Sequence, residues 1–143
     1  FPNVYGPRQS PHGEAGVCSI LIGLMLEGKN PALYGYGKAM RDYVYVGDIA
    51  RGTLLALDKG EGETINLGSA KGTTVLELFE ILKSHMDFKG DPRLEDLRPG
   101  EVNKIYTSGD LAKEVLDWVP QVDLEEGLQN TLAHIQAEFE AGK

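Results

Sequence analysis

The run Val17–Leu26 constrains the fold most, because its residues are apolar on nearly every side of a helix. Such a helix has to be covered by other elements of the same domain. Gly28 follows it as a stop signal. Its longest apolar stretch, residues 20–26, is interrupted by Gly23 and is far shorter than the roughly 20 residues that a membrane span needs. The sequence therefore predicts a buried helix and no membrane partner.

Strand signals alternate with helix signals along the rest of the chain, which is typical of an α/β fold. The predicted strands are residues 1–5, 32–34, 42–46 and 64–67. They are too few for a complete doubly wound sheet. Residues 87–104 are predicted to be a long polar loop.

Capping residues mark the starts of the remaining helices. Asp48 is expected to cap a helix whose apolar face includes Leu54 and Leu57. Capping pairs then predict two further helix starts, at Thr74 with Glu77 and at Asp123 with Glu126. A short helix is expected to open at Ser108 and Asp110 and to run to Trp118.

Charge and cysteine content exclude several classes of function. The 143 residues suit a single domain, and a formal charge of −8 without a basic stripe argues against a nucleic-acid partner. Cys18 is the only cysteine, so no internal disulfide can form, and a reducing, cytoplasmic compartment is expected. The three histidines show no metal-ligand spacing.

Two patterns associated with NAD-dependent enzymes are predicted to be turns. Gly35-Tyr36-Gly37 lacks the third glycine of a dinucleotide fingerprint and opens no helix. Tyr34 and Lys38 have the spacing of the Tyr-x-x-x-Lys pair, but that pair works only on a helix, and two glycines lie between these residues. The sequence thus predicts neither a cofactor site nor a catalytic residue in this chain.

A few side chains could instead contact an anion and a ring. Arg41 precedes a strand and Arg98 lies in the long loop, and arginine binds phosphate oxygens with two parallel hydrogen bonds. Tyr34 could offer a ring face, and Glu101 could accept from hydroxyl groups. Spacing alone favours a solvated loop residue at each of these positions.

Ordered motifs along nearly the whole chain resemble the NAD-dependent epimerase/dehydratase family of extended short-chain dehydrogenases. Residues 1–9, FPNVYGPRQ, are similar to its FNVYGPRQ stretch, and residues 11–17, PHGEAGV, resemble the following loop of UDP-glucose 4-epimerases. Residues 33–37, LYGYG, and 41–48, RDYVYVGD, resemble its YGDG and RDYVYVDD motifs. Four shorter matches follow in order: NLGS at 66–69, RPGE at 98–101, KEVLDWVP at 113–120 and LEEGL at 124–128.

The resemblance implies that the chain binds a UDP-sugar. It carries over nine substrate-binding positions: Asn3, Ala15, Gly16, Val17, Tyr34, Arg41, Tyr43, Arg98 and Glu101. Tyr34 would lie on the uracil, while Arg41 and Arg98 would clamp the diphosphate. Tyr43 would lie near the diphosphate and Glu101 near the ribose hydroxyls. Asn3 would contact the diphosphate or the sugar, and the backbone of residues 15–17 would frame the nucleotide.

The resemblance also implies that residues 1–143 form one substrate-binding part of a larger enzyme. The chain starts without Met, in a strand-like run. It would follow an N-terminal Rossmann domain that binds NAD and carries the catalytic tyrosine, and its own strands would belong to an incomplete Rossmann-type sheet. We expect the chain alone neither to bind NAD tightly nor to epimerise a sugar.

Other reactions and other classes stay open. The same family includes dehydratases, decarboxylases and reductases, and a non-catalytic module that binds a nucleotide sugar or a partner is a further alternative. Three positions depart from the family pattern. Pro2 stands where many members have Phe or Ala, Tyr36 replaces the usual Asp between two glycines, and Gly47 replaces the usual first Asp before Asp48. Unpaired edges at residues 1–5 and 64–67 predict pairing with another copy or a partner, with Val4 and Ile65 exposed in a monomer.

Overall fold

A computed structural model describes residues 1–12 and 16–142 of the chain. It is a mixed α/β structure, as expected from the sequence. The helices are α1 (Val17–Leu26), α2 (Val46–Leu55), α3 (Val75–His85), α4 (Asp110–Leu116) and α5 (Leu124–Ala141). The strands are β1 (Asn3–Tyr5), β2 (Ala32–Tyr34), β3 (Met40–Arg41), β4 (Tyr43–Tyr45), β5 (Thr73–Thr74), β6 (Arg93–Glu95) and β7 (Lys104–Ile105).

Short strands form three small sheets among the described residues. β1 pairs with β4 and β2 pairs with β6, both in parallel. β3 lies between β5, its antiparallel neighbour, and β7, its parallel neighbour. Parallel pairing requires a crossover connection, so each parallel pair joins parts of the chain that lie far apart in sequence.

Two hydrophobic clusters hold these elements together. The larger one surrounds α1, as its apolar composition requires, and takes side chains from α3, α5 and the strands beside them. The smaller one centres on Trp118, which is fully buried and whose indole N–H donates to the backbone oxygen of Asp48 at 2.8 Å. No helix in the described part is both long and apolar enough to cross a membrane.

The predicted start of α2 is wrong. Asp48 lies inside the first turn of α2 rather than before it, and its side chain makes no cap. Its carboxylate instead accepts hydrogen bonds from the backbone amides of Gln121 and Val122, at 2.9 and 3.0 Å. The prediction that Leu54 and Leu57 lie on the packed apolar face of this helix is also wrong, because the two residues are 65% and 77% exposed.

Two strand predictions and one loop prediction need correction. Residues 64–67 form no strand, since no described strand pairs with them, although Leu67 is buried against Trp118. The predicted strand 42–46 shrinks to β4, because Val46 already begins α2. Residues 87–104 are not all loop, since β6 lies within them and β7 begins at their end. All three residues of β6 are exposed, so its sequence has no alternating pattern to reveal it.

The helix predicted to run to Trp118 is present as α4, but it ends at Leu116, because Asp117 adopts a left-handed conformation. The remaining helix predictions are confirmed. α1 has the predicted bounds. Thr74 and Glu77 form a reciprocal capping box at α3, and hydrogen bonds from the amide and then the hydroxyl of Thr74 hold the pKa of Glu77 below its usual 4.5. Asp123 accepts from the amide of Glu126 at the start of α5.

Candidate nucleotide-sugar site

A cavity of about 200 Å³ lies between the first four strands and the start of α1. Its lining contains six of the nine predicted positions: Asn3, Val17, Tyr34, Arg41, Tyr43 and Glu101. Ala32, Ala39 and Val75 complete the wall with small or branched apolar side chains that the sequence had not indicated. The structure thus brings residues from four separate parts of the chain to one cavity.

The register of Arg41, Asp42 and Tyr43 explains why two of these side chains meet there. Successive residues of an extended chain point to opposite sides. Arg41 and Tyr43 line the cavity, while Asp42 is buried and accepts hydrogen bonds from the backbone amides of Ser69 and Thr107, at 3.0 and 3.3 Å. Asp42 therefore fixes the backbone that carries the two lining residues.

Arg41 and Glu101 place opposite charges on the cavity wall. Their nearest charged atoms, Nη2 of Arg41 and Oε1 of Glu101, are 3.8 Å apart, a loose ion pair. Nη1 of Arg41 donates to the backbone oxygen of Met40 at 2.9 Å, which fixes the side chain. The guanidinium can still donate from Nη2 toward an anion in the cavity.

Two polar atoms of the lining lack hydrogen-bond partners among the described residues. They are the hydroxyl of Tyr43, whose side chain is 8% exposed, and Oε2 of Glu101. Burial is the main cause that raises the pKa of Tyr43 above its ordinary value, so this hydroxyl stays protonated near neutral pH. Buried polar groups normally have partners, and these two atoms offer a donor and an acceptor to a polar ligand.

Arg98 lies on the ring of Tyr34. Its guanidinium carbon is 3.6 Å from the ring centroid, the geometry of a cation–π contact. The guanidinium covers one face of the ring on which the uracil was expected. A nucleobase must therefore use the remaining space beside Tyr34 or displace the guanidinium.

Residues 15–17 enter the site only in part. Ala15 lies outside the described residues. Gly16 is the N-cap of α1 and Val17 lines the cavity, so the positive end of the helix dipole lies next to it. Gln9, which the sequence analysis missed, donates from Nε2 to the backbone oxygen of Val4 at 3.1 Å. A Cβ atom on Gly16 would lie only 2.5 Å from the same nitrogen.

The structure bears out the interpretation of the two decoy patterns. Residues Gly35–Gly37 form a 3-10 turn, not the start of an α-helix, and Tyr34 lies in an extended conformation before it. Tyr34 and Lys38 therefore share no α-helical face. Among the described residues, the glycine turn at Gly35–Gly37 leads from β2 into β3 and not into an α-helix, so it does not fit a dinucleotide site.

Comparisons with known proteins place the chain in a family. The profile of the NAD dependent epimerase/dehydratase family matches residues 1–68. A UDP-glucose 4-epimerase of Thermotoga maritima, solved with UDP-glucose, is 44% identical, with a TM-score of 0.94 over 96% of this chain and 45% of its own. A UDP-glucose 4-epimerase of Mycolicibacterium smegmatis is 37% identical over 91% of this chain and 42% of its own. A UDP-glucuronic acid 4-epimerase of Bacillus cereus, solved with UDP-glucuronic acid and NAD, is 30% identical, with a TM-score of 0.87 over 96% of this chain and 44% of its own.

This chain belongs to the NAD-dependent epimerase/dehydratase family. The resemblance stated from its motifs is confirmed, and so is the extended short-chain dehydrogenase fold. The expected cofactor is confirmed for the family, whose description names NAD. The chain spans less than half the length of each of these relatives.

Proposed function

We propose that this chain is the nucleotide-sugar-binding part of an NAD-dependent UDP-sugar 4-epimerase. The observation that carries the proposal is the single cavity shared by Tyr34, Arg41, Tyr43 and Glu101. A guanidinium, an aromatic ring, a buried hydroxyl and a carboxylate are the groups that a diphosphate, a base and ribose hydroxyls require.

The nine predicted positions keep their roles within this proposal. Arg41 binds the diphosphate with its free guanidinium edge, and the unpartnered Oε2 of Glu101 accepts from a ribose hydroxyl. Tyr34 lies along the base, and Arg98 moves from that ring to the diphosphate when a nucleotide enters. Asn3 and the backbone of residues 15–17, including Ala15 and Gly16, complete the frame. A 4-epimerase has to hold the nucleotide firmly while its sugar turns over, and these residues supply that hold.

We further propose that the cofactor domain comes from a part of the protein outside this chain. Relatives are more than twice as long, and the described residues do not fit an NAD site. Leu54, Leu57 and Phe1 are highly exposed apolar side chains that a neighbouring domain, or a second copy, would cover. The prediction that Val4 and Ile65 are exposed in a monomer is wrong, because both are half-buried against the cluster around Trp118. The buried free thiol of Cys18 suits the cytoplasm.

The first test measures binding of UDP to the full-length protein by calorimetry. Arg41→Ala is expected to raise the Kd roughly 10- to 150-fold, since a hydrogen bond to a charged group is worth about 1.5–3 kcal/mol. Arg41→Lys should restore only part of the loss, because lysine lacks the planar fork. Arg93→Ala removes an exposed arginine on β6 and serves as the matched control. Equal affinity of wild type and Arg41→Ala would show that the cavity is not the phosphate site.

The second test identifies the reaction. The full-length protein is incubated separately with UDP-glucose, UDP-galactose and UDP-glucuronate, and the products are separated by chromatography. Interconversion of sugars that differ only at C4 supports the proposal. Loss of water or of carbon dioxide would assign a dehydratase or a decarboxylase of the same family, and tight binding without turnover would assign a binding module.

A further inference from the structure

Tyr36 occupies a strained position beside the candidate site. Its φ is 56°, in the left-handed region that aromatic residues rarely adopt, and glycines with positive φ lie on both sides of it. Residues held in this region cost free energy, and the surrounding structure has to compensate for them. A side chain that stays there therefore has a contact that holds it.

That contact is a hydrogen bond to the loop of residues 96–101. The hydroxyl of Tyr36 donates to Oδ1 of Asp96 at 2.7 Å. The preceding residue, Gly35, packs under the same loop, since a Cβ atom there would lie 2.9 Å from Cδ1 of Leu97. The turn and the loop thus meet through one polar and one apolar contact.

The loop begins where β6 ends and carries two of the predicted site residues. β6 pairs with β2 so that Glu95 lies opposite Tyr34. Arg98 then stacks on Tyr34, and the amide of Glu101 donates to the backbone oxygen of Arg98 at 3.1 Å, which closes a tight turn. Any force that holds Asp96 consequently holds the backbone at Arg98 and Glu101, while the Arg98 side chain can still turn from Tyr34 toward the diphosphate.

We propose that Tyr36 is a positioning residue that fastens this loop over the nucleotide cavity through Asp96. The inference rests on the proposed function, because the ligand whose binding it assists is the UDP moiety. An aspartate at this position, as in the family pattern, is shorter and has no proton to donate to the carboxylate of Asp96. The tyrosine supplies that donor, so this chain holds its loop by a contact of its own.

The test combines Tyr36→Phe, Asp96→Ala and the double variant in the full-length protein, with UDP as the titrated ligand. Tyr36→Phe removes only the hydroxyl. Because the bond is exposed, each single variant is expected to raise the Kd about threefold to tenfold. The Kd of the double variant should be no higher than that of the single variant that binds UDP more weakly, since both changes break the same contact. Tyr106→Phe alters another exposed tyrosine, whose hydroxyl has no hydrogen-bond partner among the described residues, and is the control.

Two further readouts separate positioning from a general loss of structure. With an active UDP-sugar, KM should rise while kcat and the melting temperature stay unchanged. In the ligand-free protein, amide hydrogen exchange at residues 97–101 should become faster in Tyr36→Phe and stay unchanged in Tyr106→Phe.

The outcomes distinguish the two proposals. If wild type binds UDP and Tyr36→Phe binds it equally well, or if the two single effects add up in the double variant, Tyr36 does not position the loop. If wild type itself binds no UDP, the proposed function fails. Hydrogen exchange in the ligand-free proteins then still tests whether Tyr36 holds the loop. Unchanged exchange at residues 97–101 in Tyr36→Phe would overturn that proposal.

Discussion

Replacing Asp48 should destabilise the fold in a graded way. The carboxylate is 3% exposed and joins α2 to the segment before α5. Oδ2 accepts from the amides of Gln121 and Val122, and Oδ1 accepts from Nη2 of Arg51 at 2.8 Å. Alanine would leave two backbone amides without an acceptor and Arg51 without its counter-charge.

The contacts set the size of the effect. Both hydrogen bonds from the amides are partly buried, and each amide that loses its acceptor costs about 1–3 kcal/mol. The ion pair contributes only about 0.2–1 kcal/mol, because the Arg51 side chain is 30% exposed and water screens it. Asp48→Ala should therefore lower the free energy of unfolding by about 2–7 kcal/mol. Asp48→Asn keeps one oxygen for the two amides and loses the charge, so about 1–2 kcal/mol is expected.

Urea unfolding provides the assay. Trp118, the single tryptophan of the chain, is buried at this junction, and its fluorescence together with circular dichroism at 222 nm reports unfolding. Asp58→Ala removes an exposed aspartate just beyond α2 and is the control, with a change within about 0.5 kcal/mol expected. A free energy of unfolding for Asp48→Ala within about 0.5 kcal/mol of wild type would refute this reasoning.

Two further predictions concern buried and capping groups. Burial raises the pKa of Cys18 to about 12, so iodoacetamide at pH 8 should label this thiol only after unfolding, and rapid labelling of the native protein would contradict the structure. Thr74→Ala should cost about 1 kcal/mol in urea unfolding, since it removes the α3 cap. Because the pKa of Glu77 is lowered by folding, its contribution to stability is present above pH 4.5 and is lost as the pH falls through the folded-state value. The stability difference between wild type and Glu77→Gln should accordingly shrink on acidification, and a constant difference would argue against the capping box.

Local signals explain what the sequence could predict about the fold. The bounds of α1 follow from composition, and the cap at Thr74 follows from side chains that act within one turn. β6 and β7 could not be found this way, because their pairing depends on backbones far along the chain and their side chains are exposed. Asp48 was misplaced for a related reason, since its true partners lie about 70 residues away.

The candidate site could likewise be predicted only in part from the sequence. Ordered motifs were sufficient to nominate Arg41, Tyr43 and Glu101, and the structure brings all three to one cavity. They could not show that Arg98 would cover Tyr34, because that contact depends on how a loop closes in space. Tyr36 stood out only as a departure from a pattern, and its partner Asp96 became visible only in three dimensions.

The parallel pairs β2–β6 and β3–β7 also fix when the site can form during synthesis. Each joins residues about 60 positions apart, Ala32 with Arg93 and Met40 with Lys104. A nascent chain that has left the ribosome only as far as residue 90 already contains Arg41 and Tyr43 but lacks both strands that pair with their neighbourhood. Closing such distant contacts carries a high entropic cost and is slow. The cavity is therefore assembled late, and until β7 emerges its charged and aromatic residues stay open to solvent.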